Sequence, residues 1–387
     1  MHILIISHVP LSGTYGAATS IRNHIQFFSC NPEIKFTVIE QIGYHSGPRV
    51  NVSLNVVRKS WLLPIIGNYD GYIDGTFRKI YYFVRKILSF LFVKRLLNKI
   101  EAIKPDVIHI NSLVLSELVR WLRSDKRFNE TKIIASVREV LSPNLKKNDL
   151  DSICLIDSFI CIDKATMESL LQYPVINFQN IIIQHNPFIL TDRLWTRHHE
   201  FKSQFKCIFS ISGIITQDKG VLEVVQSFIE VHESDSVLLV VGGAKNKYSR
   251  SVINLCNTSK NVYYLGEIPD LCASGFFNTI DVLIRGDDSF RTGRTVYEAL
   301  YSGAIAILPC RESEYLGDEQ IENFLDNVTF YRPKNLSSLK SAIQSSRLLV
   351  LNRKRKASYF LPDISGYKKM YKNIYAINSL NSREVDQ

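Results

Sequence analysis

Short apolar runs rich in Ile, Val and Leu recur along this chain, and the stretches between them carry apolar residues three and four positions apart. In the first half the runs are HILIIS, KFTVIEQI, DVIHIN, KIIASV, FICI and NIIIQHNP; in the second they are KCIFSISG, SVLLVVGG, NVYYLGEI, DVLIRG and AIAILP. Runs of this kind predict buried strands, and the helical spacing between them predicts alternating β and α units around parallel sheets. Two such series in tandem predict an α/β chain of two Rossmann-like, doubly wound domains. Ligands are then expected at the carboxyl ends of the strands, in a central cleft that the domains face. The stretch NPFILTDRLWTRHHEFKSQ joins an Asn-Pro stop to polar residues and places the seam near residue 190. The expected division is 1–190, 191–365 and a final helix and tail, 366–387, that packs back on the first domain.

A length of 387 residues fits two domains of roughly 150 to 200 residues each. With 45% apolar and 22% charged residues the chain is a folded protein, not a disordered one. Its seven cysteines form no CxxC pair, which points to a reducing compartment without a disulfide framework or zinc site. The opening MHILIISHVP lacks a basic leader region and reads as a first strand, so a cytoplasmic location is expected.

The net charge of +10 is uneven: the residues up to Pro187 carry +7 and the rest +3. The local source is FRKIYYFVRKILSFLFVKRLLNKI, residues 77–100, with seven bases and no acid. Its apolar positions 77, 80, 81, 84, 88 and 91 have helical spacing, and its longest uncharged run, 87–93, is far short of the ~20 residues that cross a bilayer. Two readings stand: a helix lying on an anionic membrane face, or a domain helix with one face packed and the other solvated. The aromatic residues follow no nucleic-acid-binding pattern, and no nucleic-acid partner is expected.

Three stretches could carry chemistry. SHVPLSGTYGAATSIRNHI runs from strand through Gly13 and Gly16 into a helix, where free N–H groups can meet an anion; it is not a GxGxxG fingerprint, and a merely architectural turn is the other reading. SISGIITQDKGVLEVVQSF places Gly213 after a strand and Lys219-Gly220 at a helix opening, with apolar positions 221, 222, 224, 225 and 228 behind it. A lysine there opposes the helix dipole unless it serves a bound phosphate or is solvated. RGDDSFRTGRTVYEALYSG carries Arg285, Asp287, Asp288, Arg291, Gly293, Arg294 and Thr295 ahead of Glu298, with Gly303 as the helix stop. A carboxylate at Glu298 can accept both hydroxyls of a ribose; the commoner fate of a lone glutamate is the surface of an amphipathic helix.

The ordered set of glycine loop, lysine-glycine helix start and glutamate helix with a glycine stop resembles the GT-B glycosyltransferases, and among them retaining glycosyltransferase family 4. KPDVIHIN and ICIDKATMESLL look like pieces of that family's first domain, IIIQHNPF like its strand into the linker, and DKG, VVGG, VYYLGEI and YEALYSGAIAILP like its donor domain. The resemblance spans nearly the whole chain. It implies transfer of a sugar from a nucleotide-sugar, UDP- or GDP-linked, with retention and without a cofactor or bound metal. Lys219 is then the diphosphate partner and Glu298 the ribose partner. His109, Asp287 and Asp288 are the catalytic candidates, and Asn111, Arg138 and Glu139 mark the acceptor side. The implied acceptor is a glycan, lipid-linked, in synthesis of a bacterial O-antigen or capsule, with the enzyme peripheral on the inner membrane face.

The chain departs from the family at three positions. The arginine usually found five residues before the lysine is Ile214, the acid usually found eight residues before Glu298 is Phe290, and a histidine often found two residues after His109 is Asn111. Arg285, Arg291 and Arg294 are therefore expected to take over part of the phosphate grip. A nucleotide-sugar epimerase on the same fold and a catalytically silent binding scaffold are the alternatives, the second favoured by the missing acid at Phe290.

Overall fold

The structure, a computed structural model, describes residues 1–13, 16–42, 56–63, 76–143, 145–176, 180–231, 233–244, 246–287, 293–309, 319–352 and 363–376. The chain divides into two compact units, Met1–Pro187 with Asp363–Gln387, and Phe188–Pro362.

The first unit is built on seven parallel strands: β1 (His2–Ser7), β2 (Lys35–Gln41), β3 (Val57–Trp61), β4 (Val107–Ile110), β5 (Lys132–Val137), β6 (Ser158–Cys161) and β7 (Ile181–Ile183). Their order is β3-β2-β1-β4-β5-β6-β7. Strands β1, β4 and β5 lie at the centre and are buried on both faces, which is why their sequences are continuous apolar runs. The register sets Ile5 against Val38 on one side and His109 on the other. Leu4, Ile6, Ile108 and Ile110 pack with Leu96 and Ile100 of helix Thr76–Ile103 in the core.

The second unit has six parallel strands, β8 (Cys207–Ser212), β9 (Ser236–Val241), β10 (Val262–Gly266), β11 (Val282–Ile284), β12 (Ile305–Pro309) and β13 (Val328–Tyr331), in the order β10-β9-β8-β11-β12-β13. In each sheet the order reverses beside the first strand, at β1/β4 and at β8/β11. Such switch points leave a crevice at the carboxyl ends of the strands. The tandem doubly wound architecture expected from the apolar runs is the one observed.

Two strands were not among the apolar runs. β3, VRKSW, has largely exposed residues at the sheet edge, and β13, VTFY, is a short edge strand beside β12. An edge strand buries less of each residue and so carries a weaker apolar signature.

Helix Thr76–Ile103 buries Leu96, Leu97 and Ile100 but leaves Phe83, Val84, Ile87, Leu88, Phe90 and Leu91 exposed. Of the apolar positions expected on one face, Val84, Leu88 and Leu91 point to solvent; the side chains at 77, 80 and 81 lie outside the described residues. No helix among the described residues is long and apolar enough to cross a membrane.

Candidate functional site

In the second unit the carboxyl ends of β8 and β11 carry the phosphate-binding candidates. β8 runs into Gly213, then through a tight turn, Gln217–Lys219, to helix Val221–Val231. Gly220, between turn and helix, is left-handed at φ 57°, and a β-carbon there would fall 1.9 Å from Gly286 O. Only glycine permits that approach. It lays Lys219 against the residues that follow β11.

Those residues are Arg285, Gly286 and Asp287. The Asp287 side chain is 2% exposed and takes three bonds from two cations. Lys219 Nζ donates to Oδ2 at 3.3 Å, Arg285 Nε donates to Oδ1 at 3.2 Å, and an Arg285 terminal nitrogen donates to Oδ2. Arg285 is fixed through its backbone: its N–H donates to Ile307 O at 2.9 Å and its carbonyl accepts the Tyr331 hydroxyl at 2.8 Å. A pocket lined by Ser212, Gly213, Ile214, Lys219, Arg285 and Asp287 opens here. The Ser212 hydroxyl is buried without a hydrogen-bond partner among the described residues.

Helix Arg294–Tyr301 begins after Gly293, where a β-carbon would lie 2.7 Å from an Arg285 terminal nitrogen. Thr295 is in its first turn, and Glu298 one turn further is wholly buried. Arg294 Nε stands 3.0 Å from Glu298 Oε1 without hydrogen-bond alignment, and neither carboxylate oxygen has a hydrogen-bond partner among the described residues. Burial pushes the Glu298 carboxyl up to about 7, Arg294 opposing and Asp270 adding to the rise. The structure thus gathers Lys219, Gly220, Arg285 and Asp287, with Gly293 beside Arg285 leading into the Arg294–Thr295–Glu298 helix. Asp288, Phe290 and Arg291 lie outside the described residues.

In the first unit His109 sits on β4 with both ring nitrogens engaged, Nε2 with Ser136 Oγ at 2.8 Å and Nδ1 with Tyr375 OH at 3.0 Å. The same Tyr375 hydroxyl lies 3.0 Å from His24 Nε2, and Tyr367 OH is 2.8 Å from His24 Nδ1. Burial, with the Arg138 charge second, lowers His109 to about 3, and burial followed by the neighbouring His109 and then Arg138 drives His24 well down, so both rings are neutral. His109 is therefore packed against helix Ile364–Ala376, its hydrogen-bonding capacity met within the unit. His24 and Tyr375 had not been singled out. The tyrosines at 367, 371 and 375, four apart on a helix, were the available signal for a buried aromatic face.

The acceptor-side candidates follow β4 and β5. Arg138 Nε donates to the Asn111 side-chain and backbone oxygens at 3.0 Å, and the guanidinium also reaches Asn186 Oδ1. Glu139 turns away to the Ser112 hydroxyl and the Leu113 N–H. Asn111 Nδ2 and His8 Nδ1 are buried without hydrogen-bond partners among the described residues. The Gly13 carbonyl accepts from the buried Arg22 at 2.8 Å, which pulls the loop inward, and Gly16 opens helix Gly16–Phe28 with free space about its α-carbon.

No protein-family model matches the chain, and no curated protein matches it in sequence. Solved structures do match in shape. Sucrose-phosphate synthase from Thermosynechococcus elongatus aligns over 97% of this chain and 100% of its own with a TM-score of 0.66 at 12% identity. The catalytic domain of starch synthase IV from Arabidopsis thaliana, bound to ADP and acarbose, aligns over 97% and 99% with a TM-score of 0.67 at 11% identity. HepE from Anabaena, in complex with UDP and glucose, aligns over 100% and 99% with a TM-score of 0.61 at 12% identity. The fold is GT-B. At these identities the GT-B fold is what the chains share, and the assignment to family 4 stays an expectation.

Proposed function

We propose that this GT-B chain transfers a sugar, with retention, from a UDP- or GDP-linked donor to a glycan acceptor. The observation that carries the reading is Glu298: a wholly buried carboxylate that has the Arg294 charge beside it but accepts no hydrogen bond on either oxygen among the described residues, a cost that donors from a ligand would offset. The two vicinal hydroxyls of a ribose fit that need. Lys219 and Arg285 then meet the diphosphate, whose negative charge grows as the sugar–phosphate bond breaks, and preorganised cations stabilise such a transition state. No bound metal or cofactor enters this reading. The UDP bound to HepE supports a UDP-linked donor, and the ADP bound to starch synthase IV supports a nucleoside diphosphate as leaving group more generally.

The acceptor falls to the first unit, with Asn111, Arg138 and Glu139 as its candidates. We further assign a lipid-linked glycan of a bacterial surface polysaccharide, with the enzyme on the cytoplasmic membrane face. Support for this comes from the exposed Phe83, Val84, Ile87, Leu88, Phe90 and Leu91 and the acid-free basic composition of 77–100.

Incubation with UDP-, GDP-, ADP- and CMP-sugars tests the core of the reading. Release of free nucleoside diphosphate, slow without acceptor and lost in Glu298→Gln, is expected. Isomerisation of the donor sugar, or binding with no release under any acceptor, would replace transfer with epimerisation or with a binding scaffold. Vesicle co-sedimentation of wild type against an Arg85→Glu, Lys86→Glu, Lys94→Glu variant tests the membrane part, and identical binding removes it.

A further inference from the structure

Asp287 is held by the same two cations that a donor diphosphate would need. Its carboxylate is buried, it takes bonds from Lys219 and Arg285 at once, and it shares the pocket with Ile214 and with the Ser212 hydroxyl, which has no hydrogen-bond partner among the described residues. Without Asp287, Arg285 would face Lys219 across one pocket as a like charge, with the exposed Asp218, 3.8 Å from Lys219 Nζ, offsetting it only weakly. The backbone contact of Gly220 with Gly286 brings the two loops together and forces that juxtaposition.

We propose that Asp287 is a resident counter-anion: it occupies Lys219 and Arg285 while the site is empty, and a nucleoside diphosphate binds by taking both cations from it. Arg285 is then the second diphosphate cation, standing in for the base that Ile214 does not provide. This deepens the nucleotide-sugar reading and rests on it. The chemistry is an exchange of anions. The carboxylate gives up three hydrogen bonds, the phosphate oxygens accept them, and no proton or covalent bond changes hands. Lys219 is half exposed and Ile214 is exposed on the rim, so the exchange leaves room for an incoming anion at the pocket mouth. Asp287 here is a positioning residue that sets the affinity and release of the donor, and its side chain need not touch the sugar.

The experiment is calorimetric titration of the full chain with UDP, GDP and ADP, and with the corresponding monophosphates. Asp287→Asn removes the competing charge and keeps the shape. It is expected to tighten the best nucleoside diphosphate about tenfold, with a smaller change for its monophosphate, since a charge-assisted bond to phosphate is worth about one to two decades. Arg285→Gln is expected to weaken the diphosphate by about the same factor, and Ile214→Arg added to it to restore part of the loss. Should Asp287→Asn fail to fold, the wild type still answers. The Arg285 Nε–H signal in a nitrogen-edited spectrum is expected to shift on saturation with the diphosphate, because its acceptor changes from carboxylate to phosphate. Weaker or unchanged diphosphate binding by Asp287→Asn, or an Arg285 signal that stays in place, overturns the proposal while the donor reading stands. A wild-type chain that binds none of the three diphosphates overturns both.

Discussion

Gly220 and Gly286 meet backbone to backbone, so close that a β-carbon on Gly220 would stand 1.9 Å from the Gly286 carbonyl oxygen. The contact joins the loop after β8 to the loop after β11 and thereby places Lys219 beside Asp287. Gly220→Ala adds both a left-handed alanine and a backbone collision. The expected result is a loss of roughly 2–4 kcal/mol in the stability of the second unit, read by chemical denaturation. Nucleoside diphosphate binding should fall further than the unfolded fraction explains, because the surviving molecules must move Lys219 to relieve the clash. Alanine tolerated at this position with unchanged binding would refute the geometry.

Glu298 couples stability to pH. In the unfolded chain its carboxyl titrates near 4.5, whereas in the folded chain burial lifts it to about 7. Between these values the folded state holds the extra proton, so its contribution is complete below 4.5 and is lost as pH rises towards and through 7. The difference amounts to about 3 kcal/mol at most. Glu298→Gln is expected to unfold later than wild type at pH 8, to lose that advantage near pH 4.5, and to bind nucleoside diphosphate more weakly at both. Thermal melts of the two proteins across pH 4.5–8 check the sign, and parallel curves would remove the buried carboxylate as the cause.

Tyr375 serves two buried rings with one hydroxyl, at 3.0 Å from both His24 Nε2 and His109 Nδ1. Tyr375→Phe strands a polar atom on each, at a cost of roughly 1–3 kcal/mol per unsatisfied group. The first unit should therefore lose more than a single surface hydroxyl deletion would take, read as a lower urea midpoint at pH 7. Acid acts on His109 and on His8, another buried histidine of the same unit. Unfolded histidine takes up a proton near 6.5, while folded His109 and His8 resist until about 3, held neutral by burial and by Arg138. Below pH 6.5 the unfolded state binds more protons, and the first unit is expected to weaken steadily as the pH falls. A first unit as stable at pH 5 as at pH 7 would contradict this.

How much of this was legible beforehand follows from what each residue does. The central strands announce themselves because burial on both faces demands uninterrupted apolar runs, as in KIIASV and SVLLVV. β13 does not, although its Tyr331 hydroxyl anchors Arg285, because an edge strand needs few apolar residues to hold its place. Lys219, Arg285, Asp287 and Glu298 could be named from motif and spacing. That Asp287 is paired with both cations could not, since the pairing depends on Gly220 meeting Gly286 across sixty-odd residues of sequence. His109 is legible from the apolar strand it lies on. Its engagement by Tyr375 is a long-range contact, 266 residues apart, that no local pattern encodes.

Helix Thr76–Ile103 faces two ways. Leu96, Leu97 and Ile100 seat its C-terminal part in the core, whereas Phe83, Phe90 and Leu91, which precede them, are 66%, 64% and 67% exposed. Leaving such side chains in water forgoes about 1.5–3 kcal/mol each, which a bilayer interface would recover. Exposed Lys94 and Arg95 follow on the same helix, and each base near an anionic surface adds on the order of 1 kcal/mol. Both contributions are needed if the helix docks on anionic lipid: charge alone gives binding that salt abolishes, and apolar contact alone gives binding indifferent to headgroup charge. Phe83→Ser, Phe90→Ser, Leu91→Ser is therefore expected to cut binding to phosphatidylglycerol vesicles by at least about tenfold while leaving nucleoside diphosphate binding unchanged. Wild-type binding should in turn fall between 50 mM and 500 mM salt, as screening shortens the reach of the bases. Equal sedimentation of the triple variant and wild type would assign the exposed residues to some other contact and remove the membrane from the proposal.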